Sequence, residues 1–258
     1  MEVVPYHPGV LGLTDATDAQ YFADPGVNNS ALKMILEKSP GHFKNSSSKS
    51  TSAKRIGSLV HSMILDAPSL DNYAIFKEGK SLDTKKAKEF ALANPDSTIV
   101  LEKDWELADL YQSKNTNNEF VKQLRACKLK EICGFVDING YRCKAKADAI
   151  DTDNGIIFDL KTAMDLSTFV WDARKYRYHM QQAWYLKIFG LILGPDLEFR
   201  LVVLEKMKPF YCVERVFSPN VSAQGEFLIE EAFEKYTYAS TYNDWSGPQP
   251  SGVLEWST

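Results

Sequence analysis

Apolar residues recur at helical spacing in the first half of the chain and in strand-like runs beyond Lys130. From about Lys54 to Asp66, Ile56, Leu59, Val60, Met63 and Ile64 fall at i, i+3, i+4, i+7 and i+8, the stripe of an amphipathic helix. At about 100° per residue, His61 points more than about 90° from the centre of that stripe, on a side shared with Lys54, Ser58 and Leu65. A second, more polar neighbour is expected there. Upstream, Asn28-Asn29-Ser30 offers N-caps for a short helix, Ala31 to Glu37, which Ser39-Pro40-Gly41 ends. The span from Leu82 to Arg125 reads as two or three helices, broken at Asn94-Pro95-Asp96 and near Asn115 to Asn118.

After Lys130 the pattern changes. Ile132 to Ile138 and Tyr141 to Ile150 read as strands joined by Asn139-Gly140, the dipeptide favoured in two-residue type I′ hairpin turns. A second turn, Asp151 to Gly155, leads into Ile156 to Lys161, so three adjacent strands form a meander. A helical stretch runs from about Leu166 to Gly190 and ends there or at Gly194-Pro195. Two more strands, Leu197 to Glu205 and Phe210 to Phe217, precede a helix from about Pro219 to Tyr238. The expected fold class is α/β (α+β): a central mixed sheet of about five strands with a meander core, flanked by helices. One domain covers 1–258, with an extended lead-in over 1–27, a mobile Ser/Lys loop over 45–54 and an irregular tail over 240–258.

The chain has 258 residues, 44% of them apolar, which suits one large core and excludes disordered and collagen-like classes. No run approaches the roughly 18 apolar residues of a spanning helix, and Met1 to Pro5 lacks the features of a secretory signal, so a soluble intracellular protein without membrane contact is expected. The cysteines Cys127, Cys133, Cys143 and Cys212 form no C-x-x-C pair and are expected reduced, in or near the core. Lys plus Arg number 30 against 34 Asp plus Glu, a net charge of −4. That sum hides a segregation. From Lys122 to Lys187 there are 12 basic against 8 acidic residues, and 18 against 26 elsewhere, so one basic face could meet phosphates.

That basic segment also carries the candidate chemistry. Period-two alternation places Arg142, Lys144, Lys146, Asp148 and Ile150 on one face of their strand, and Ile157, Asp159 and Lys161 on one face of the next. Pairing across the 151–155 turn lets Asp148 and Asp159 converge. Two carboxylates so placed repel unless protonated or bridged by a cation, and hard oxygen ligands suit Mg²⁺ or Mn²⁺. Lys161 projects to the same side, where an ammonium can steady an attacking hydroxide or the charge developing on phosphate. Taken alone, D-x-K also fits a solvated ion pair at a strand end. Gln181 and Tyr185, four apart, share a face of the following helix. Tyr185 equally suits a core position beside Trp184, and Gln181 a solvated one. His61 alone fits a hydrogen-bonded helix histidine, Glu131 an exposed strand-end carboxylate, and His179, on another side of the helix from Gln181, a structural role.

The order His61, Asp148, Asp159-Leu160-Lys161 and Gln181-x-x-x-Tyr185 resembles the RecB-type branch of the PD-(D/E)xK nuclease superfamily. Within it, the chain resembles the RecE (exonuclease VIII) family of phage-derived exonucleases, from about residue 28 to about 247. The resemblance rests on Gly57-Ser58-Leu59-Val60-His61, Asp148, Phe158 to Thr162 and the run KYRYHMQQAWY at 175–185. Asn29-Ser30-Ala31-Leu32 and Ser39-Pro40-Gly41-His42-Phe43 also resemble the opening segment of that nuclease domain. The second acidic position is Asp159 rather than Glu, as in RecB-type members.

The resemblance implies a Mg²⁺-dependent, processive 5′-to-3′ exonuclease on linear double-stranded DNA that leaves 3′ overhangs, with Mn²⁺ able to substitute. Asp148, Asp159 and the Leu160 carbonyl would hold the metal, and His61 would be a further ligand or stand just behind it. Lys161 would position the attacking water. Gln181 and Tyr185 would contact DNA near the scissile phosphate, with Lys146, Lys175 and Arg177 as basic contacts. The same resemblance implies a homo-oligomeric ring, a tetramer, working with a RecT-type single-strand annealing protein in the cytoplasm of a bacterial host. An endonuclease of the superfamily and a catalytically silent DNA-binding or assembly module are the rival readings.

Overall fold

Asn139 and Gly140 turn the chain with φ of 55° and 83°, the left-handed pair that a type I′ hairpin requires, and the Gly140 N–H donates to Asp137 Oδ1 at 2.7 Å. Around this turn the computed structural model, which describes residues 2–46 and 52–248, builds a six-stranded sheet. In chain order the elements are β1 (Gly12–Thr14), α1 (Asp18–Ala23), α2 (Asn29–Glu37), α3 (Pro40–Lys44), α4 (Ser52–Leu65), β2 (Tyr73–Phe76), α5 (Lys85–Ala93), β3 (Thr98–Leu101), α6 (Glu102–Asn115) and α7 (Glu119–Ala126). Then come β4 (Leu129–Ile138), β5 (Tyr141–Asp151), β6 (Ile156–Ala163), α8 (Phe169–Lys175), α9 (Tyr178–Leu193), β7 (Glu198–Glu205), β8 (Cys212–Arg215) and α10 (Pro219–Tyr242). The sheet order is β1-β4-β5-β6-β7-β8, antiparallel except for β6–β7, whose crossover is α8 and α9.

The sheet is mixed with a meander at its centre, as expected, but has six strands rather than five. The lead-in is not extended throughout: β1 pairs with β4, and Thr17-Asp18-Ala19-Gln20 forms a capping box that starts α1. That T-x-x-Q signal was legible. The expected helices of 82–125 are α5, α6 and α7, but β3 lies among them and pairs in parallel with β2 as a separate two-stranded sheet. Ser39-Pro40-Gly41 does end α2, and Ser39 then caps α3. Half of the expected Ser/Lys loop, residues 47–51, lies outside the described residues, as does the tail beyond 248, and the end of that loop, 52–54, is instead the start of α4. The stretch expected to be irregular from 240 continues as helix to Tyr242.

Two apolar layers sandwich the sheet. On one face Trp184, Ile188 and Phe189 of α9, Ile229 and Ala232 of α10 and Leu32 of α2 pack on Ala145, Ala147 and Ile157. On the other, Leu59 and Met63 of α4, Ala108 of α6 and Leu124 of α7 pack on Phe158 and Leu160. This confirms the facing expected for β6, and the stripe expected for α4. Trp184, wholly buried, satisfies its indole N–H on the Lys144 carbonyl at 2.9 Å. All four cysteines are free and buried. α10 approaches α9 closely at Gly225, where a Cβ would stand 2.3 Å from the His179 carbonyl oxygen.

The lead-in covers the β4–β5 end of the second face and takes up three basic residues there. Arg142 grips Asp24 through Nε at 3.0 Å and Nη2 at 2.9 Å, and donates to the Val10 carbonyl. Lys144, buried, donates to the Tyr21 and Asp24 carbonyls at 2.6 Å each. Lys146 pairs with Asp18 at 2.5 Å. Part of the basic excess counted in the sequence is thus answered within the fold. Among the described residues, no helix is long and apolar enough to cross a membrane.

Candidate active site

β5 and β6 pair over only three positions, Ala149 to Asp151 with Ile156 to Phe158, and then part. The fork that opens holds Asp148 on one arm and Asp159 on the other. Asp148 Oδ2 accepts the Leu160 backbone N–H at 2.7 Å, and its Oδ1 lies 3.3 Å from His61 Nδ1 on α4. Asp159 is buried; its Oδ1 accepts from Gln181 Nε2 at 2.7 Å, and its Oδ2 contacts the Lys161 ammonium. Gln181 comes from α9, one turn before Tyr185. Four elements therefore converge on two carboxylates: His61 joins Asp148, Gln181 and Lys161 join Asp159, and the backbone of Leu160, between Asp159 and Lys161, links the two groups into one network.

Asp148 reaches the fork through a break in alternation. Ala147 lies on the α9 side of the sheet and Ala149 on the α4 side, so strict period two fails between them. The expected face shared by Arg142, Lys144, Lys146, Asp148 and Ile150 is corrected accordingly: the first three turn to the lead-in, whereas Ile150 joins the α9 side. Opposite, Glu131 sits at φ 49°, and the β4–β5 ladder skips the Glu131–Asp148 pair. A left-handed non-glycine residue inside a strand is strained, and such strain clusters at functional sites.

Burial raises Asp148, but the facing His61 ring, Lys161 and the Leu160 N–H outweigh it and bring its pKa down to about 2. Burial opposes charge on His61, yet the Asp148 carboxylate holds that ring above its ordinary value. Asp159 moves the other way: burial, reinforced by repulsion from Asp148, lifts it against the pull of Lys161. Apart from the Lys161 contact, its Oδ2 has no hydrogen-bond partner among the described residues. His61 and Lys161 together face the two carboxylates, and the raised Asp159 marks the point in the fork where the negative charge is least well balanced.

The other expected residues are placed as follows. Tyr185 packs edge-on against Phe189 and Phe199, half-buried beside the carboxylates; burial and Asp159 hold its phenol well above the ordinary value. The Leu160 side chain is core, leaving its backbone at the fork. Lys146 stays with Asp18 rather than joining the network; Asp18 and His61, with Glu131, line a cleft of about 540 Å³ beside the fork. Lys175 and Arg177 lie at the α8–α9 junction, outside the network, where Arg177 donates to Glu37 at 2.9 Å. His179 is buried, edge-on to Phe217. Sequence reasoning missed Tyr178, whose ring carries the Lys161 ammonium 4.9 Å from its centroid. Its position three before Gln181 on one helix face was the available signal.

Among the described residues, no group of three His, Cys, Asp or Glu side chains is arranged to hold a metal by itself. The donor set is two carboxylates, with His61 already engaged by Asp148. Residues 29–248 match the family described as a PDDEXK-like domain of unknown function (DUF3799). The crystal structure named "Putative exonuclease" from Eubacterium rectale superposes with a TM-score of 0.65 at 15% identity, covering 95% of this chain and 96% of that one. A second structure, titled SSO0001, has 17% identity over 80% of this chain and 84% of its own, and its TM-score of 0.30 carries no argument. No curated protein matches the chain significantly. Neither match singles out the RecE branch. With its forked meander, its D-x-K lysine and a family match across most of its length, the chain belongs to the PDDEXK-like family DUF3799, within the PD-(D/E)xK nuclease superfamily.

Proposed function

We propose that this chain is a Mg²⁺-dependent deoxyribonuclease that digests linear double-stranded DNA from 5′ to 3′ and leaves 3′ overhangs. The observation that carries the nuclease reading is the convergence of Asp148, Asp159, Lys161, Gln181 and His61 on one fork. The direction and the duplex substrate rest on the resemblance of residues 28–247 to the RecE family alone; the structural likeness to a protein named "Putative exonuclease" supports the exonuclease reading.

The residues fit a hard divalent cation. The Asp148 carboxylate raises the cost of ionising the buried Asp159, whose Oδ2 touches the Lys161 ammonium and otherwise has no hydrogen-bond partner among the described residues. Mg²⁺ keeps several waters and needs only one or two carboxylates together with substrate phosphate, so a set smaller than three side chains suffices. Asp148, Asp159 and the Leu160 carbonyl would hold it, with His61 positioning Asp148. When bound, Mg²⁺ or Mn²⁺ supplies Lewis-acid polarisation of the phosphoryl group and a lowered pKa for a coordinated water.

The chain's own residues do the rest. Lys161 holds a water beside Asp159 and places positive charge where the phosphoryl oxygens become more negative. Gln181 fixes the Asp159 carboxylate so that its second oxygen faces the fork. The Tyr178 ring beneath Lys161 keeps the ammonium from swinging away. Fixed donors of this kind need no reorganisation during reaction. Ring assembly and a RecT-type annealing partner belong to the same proposal.

Linear duplex labelled at either the 5′ or the 3′ end, incubated with Mg²⁺, tests it. Early loss of 5′ label with covalently closed circles left intact is expected. Equal cutting of circles would establish the endonuclease, and binding without cleavage in Mg²⁺ or Mn²⁺ the silent module.

A further inference from the structure

We infer that the elbow between α8 and α9 is a docking shelf for an unpaired nucleic-acid strand running to or from the fork. The helix expected over 166–190 is interrupted there, because Arg177 adopts φ 52° and redirects the chain. The interruption is held from outside. Lys33 of α2 donates to the Tyr176 carbonyl at 3.0 Å, and Glu37 of α2 accepts from Arg177. An elbow fixed by two contacts from another helix is a built feature.

Its exposed surface is aromatic and basic together. Trp171 is 65% exposed and Tyr176 45%. The Lys33 and Lys175 ammonium groups stand 5.7 and 5.4 Å from the Tyr176 ring centroid. Arg174 and Lys175 make no ion pair among the described residues, whereas Glu37, the carboxylate lining the adjoining hollow of about 630 Å³, is already answered by Arg177. Isolated exposed aromatics are ordinary on protein surfaces; rings interleaved with unpaired cations are what a nucleic-acid strand uses, bases on the rings and phosphates on the cations.

The shelf connects to the chemistry. Tyr176 stacks on Tyr178 at 5.9 Å and 29°, and Tyr178 carries Lys161, which contacts Asp159. A strand lying on Tyr176 is thus one ring away from the lysine of the fork. The ring faces select the unpaired form, since bases inside a duplex have their faces covered by stacking and offer only their edges. Assigning the strand as a substrate or product of cleavage rests on the nuclease reading; the binding itself does not.

Fluorescein-labelled dT12 titrated with the full chain in EDTA, followed by anisotropy, measures the shelf without hydrolysis. Trp171→Ala and Tyr176→Ala should each weaken binding by about fivefold or more, with Tyr176→Phe close to wild type. Arg174→Gln and Lys175→Gln should each lower the slope of log affinity against log salt by about 0.7. Affinity within twofold of wild type in the double aromatic variant, folded by circular dichroism, overturns the proposal. So does competition by polyglutamate as strong as that by unlabelled dT12, or an equal loss for a blunt hairpin duplex. The two readings fail separately. A chain that binds dT12 through these rings yet cleaves no DNA in Mg²⁺ overturns the nuclease and keeps the shelf, whereas a chain that cleaves but binds dT12 without them overturns the shelf alone.

Discussion

Asp148 accepts the Leu160 backbone N–H at 2.7 Å, a bond from one arm of the fork to the other at the point where the β5–β6 ladder has ended. It replaces a ladder bond with a side-chain bond and sets the spacing of the two carboxylates. Asp148→Asn keeps the shape but removes the charge. It should cut Mg²⁺-dependent cleavage by about 10²- to 10³-fold, the scale of losing one preorganised electrostatic group. A gel assay on linear duplex reads this, and activity within a few-fold of wild type contradicts the assignment.

Asp159→Ala and Lys161→Ala should likewise abolish measurable digestion while the thermal midpoint shows the fold intact. Lys161→Arg retains charge but not the compact ammonium over Tyr178, so it should recover little.

Gln181 acts through Asp159. Gln181→Ala should lower activity about 10- to 100-fold and raise the Mg²⁺ concentration for half-maximal rate, as expected when a partner of a ligand is removed. An unchanged Mg²⁺ dependence would leave Gln181 without its positioning role.

Glu131 is held in the left-handed region opposite Asp148. Glu131→Gly accepts that conformation and should retain activity and stability. Glu131→Val, β-branched, should lose about 1–3 kcal/mol of stability and much of the activity, because the break that turns Asp148 into the fork depends on this backbone. Urea melts of the two variants, paired with cleavage rates, decide it.

Away from the fork, Asp24 sets an acid limit. Burial raises its pKa, but the Arg142 guanidinium, the Gly26 N–H and the Tyr6 hydroxyl outweigh it and hold it below the ordinary 3.8. A carboxyl depressed in the folded state stabilises the fold fully above about that ordinary value, and the contribution is lost as pH falls through the folded-state pKa. The urea midpoint should drop below about pH 4, and Asp24→Asn should flatten that drop. At pH 7 the same variant should cost about 3 kcal/mol, since it leaves Arg142 half-partnered.

The meander, its Asn-Gly turn and the facing of Asp159 and Lys161 were legible because local rules govern them: turn chemistry and period two. Asp148 was found half rightly: the pairing across the 151–155 turn holds and carries it beside Asp159, but alternation breaks at its position, and a side-chain bond ties it to Leu160 where the ladder has ended. β1 was hidden because its partner lies about 120 residues away in sequence and a three-residue strand has no pattern of its own. β2 and β3 are similarly short. The α8–α9 elbow was hidden because a left-handed arginine carries no compositional sign; only contacts from α2 show why it is tolerated.

Gly225 on α10 holds none of the fork's groups, yet its missing side chain lets that helix rest against the backbone of the first turn of α9. Gln181 and Tyr185 ride on that turn and the next, so the depth at which they sit over the fork is gauged by a residue that touches neither DNA nor carboxylate. One methyl group at 225 would act as a shim under α9: at 2.3 Å from the His179 carbonyl oxygen it forces the two helices apart, and the shift passes along α9 to Gln181 and its bond to Asp159.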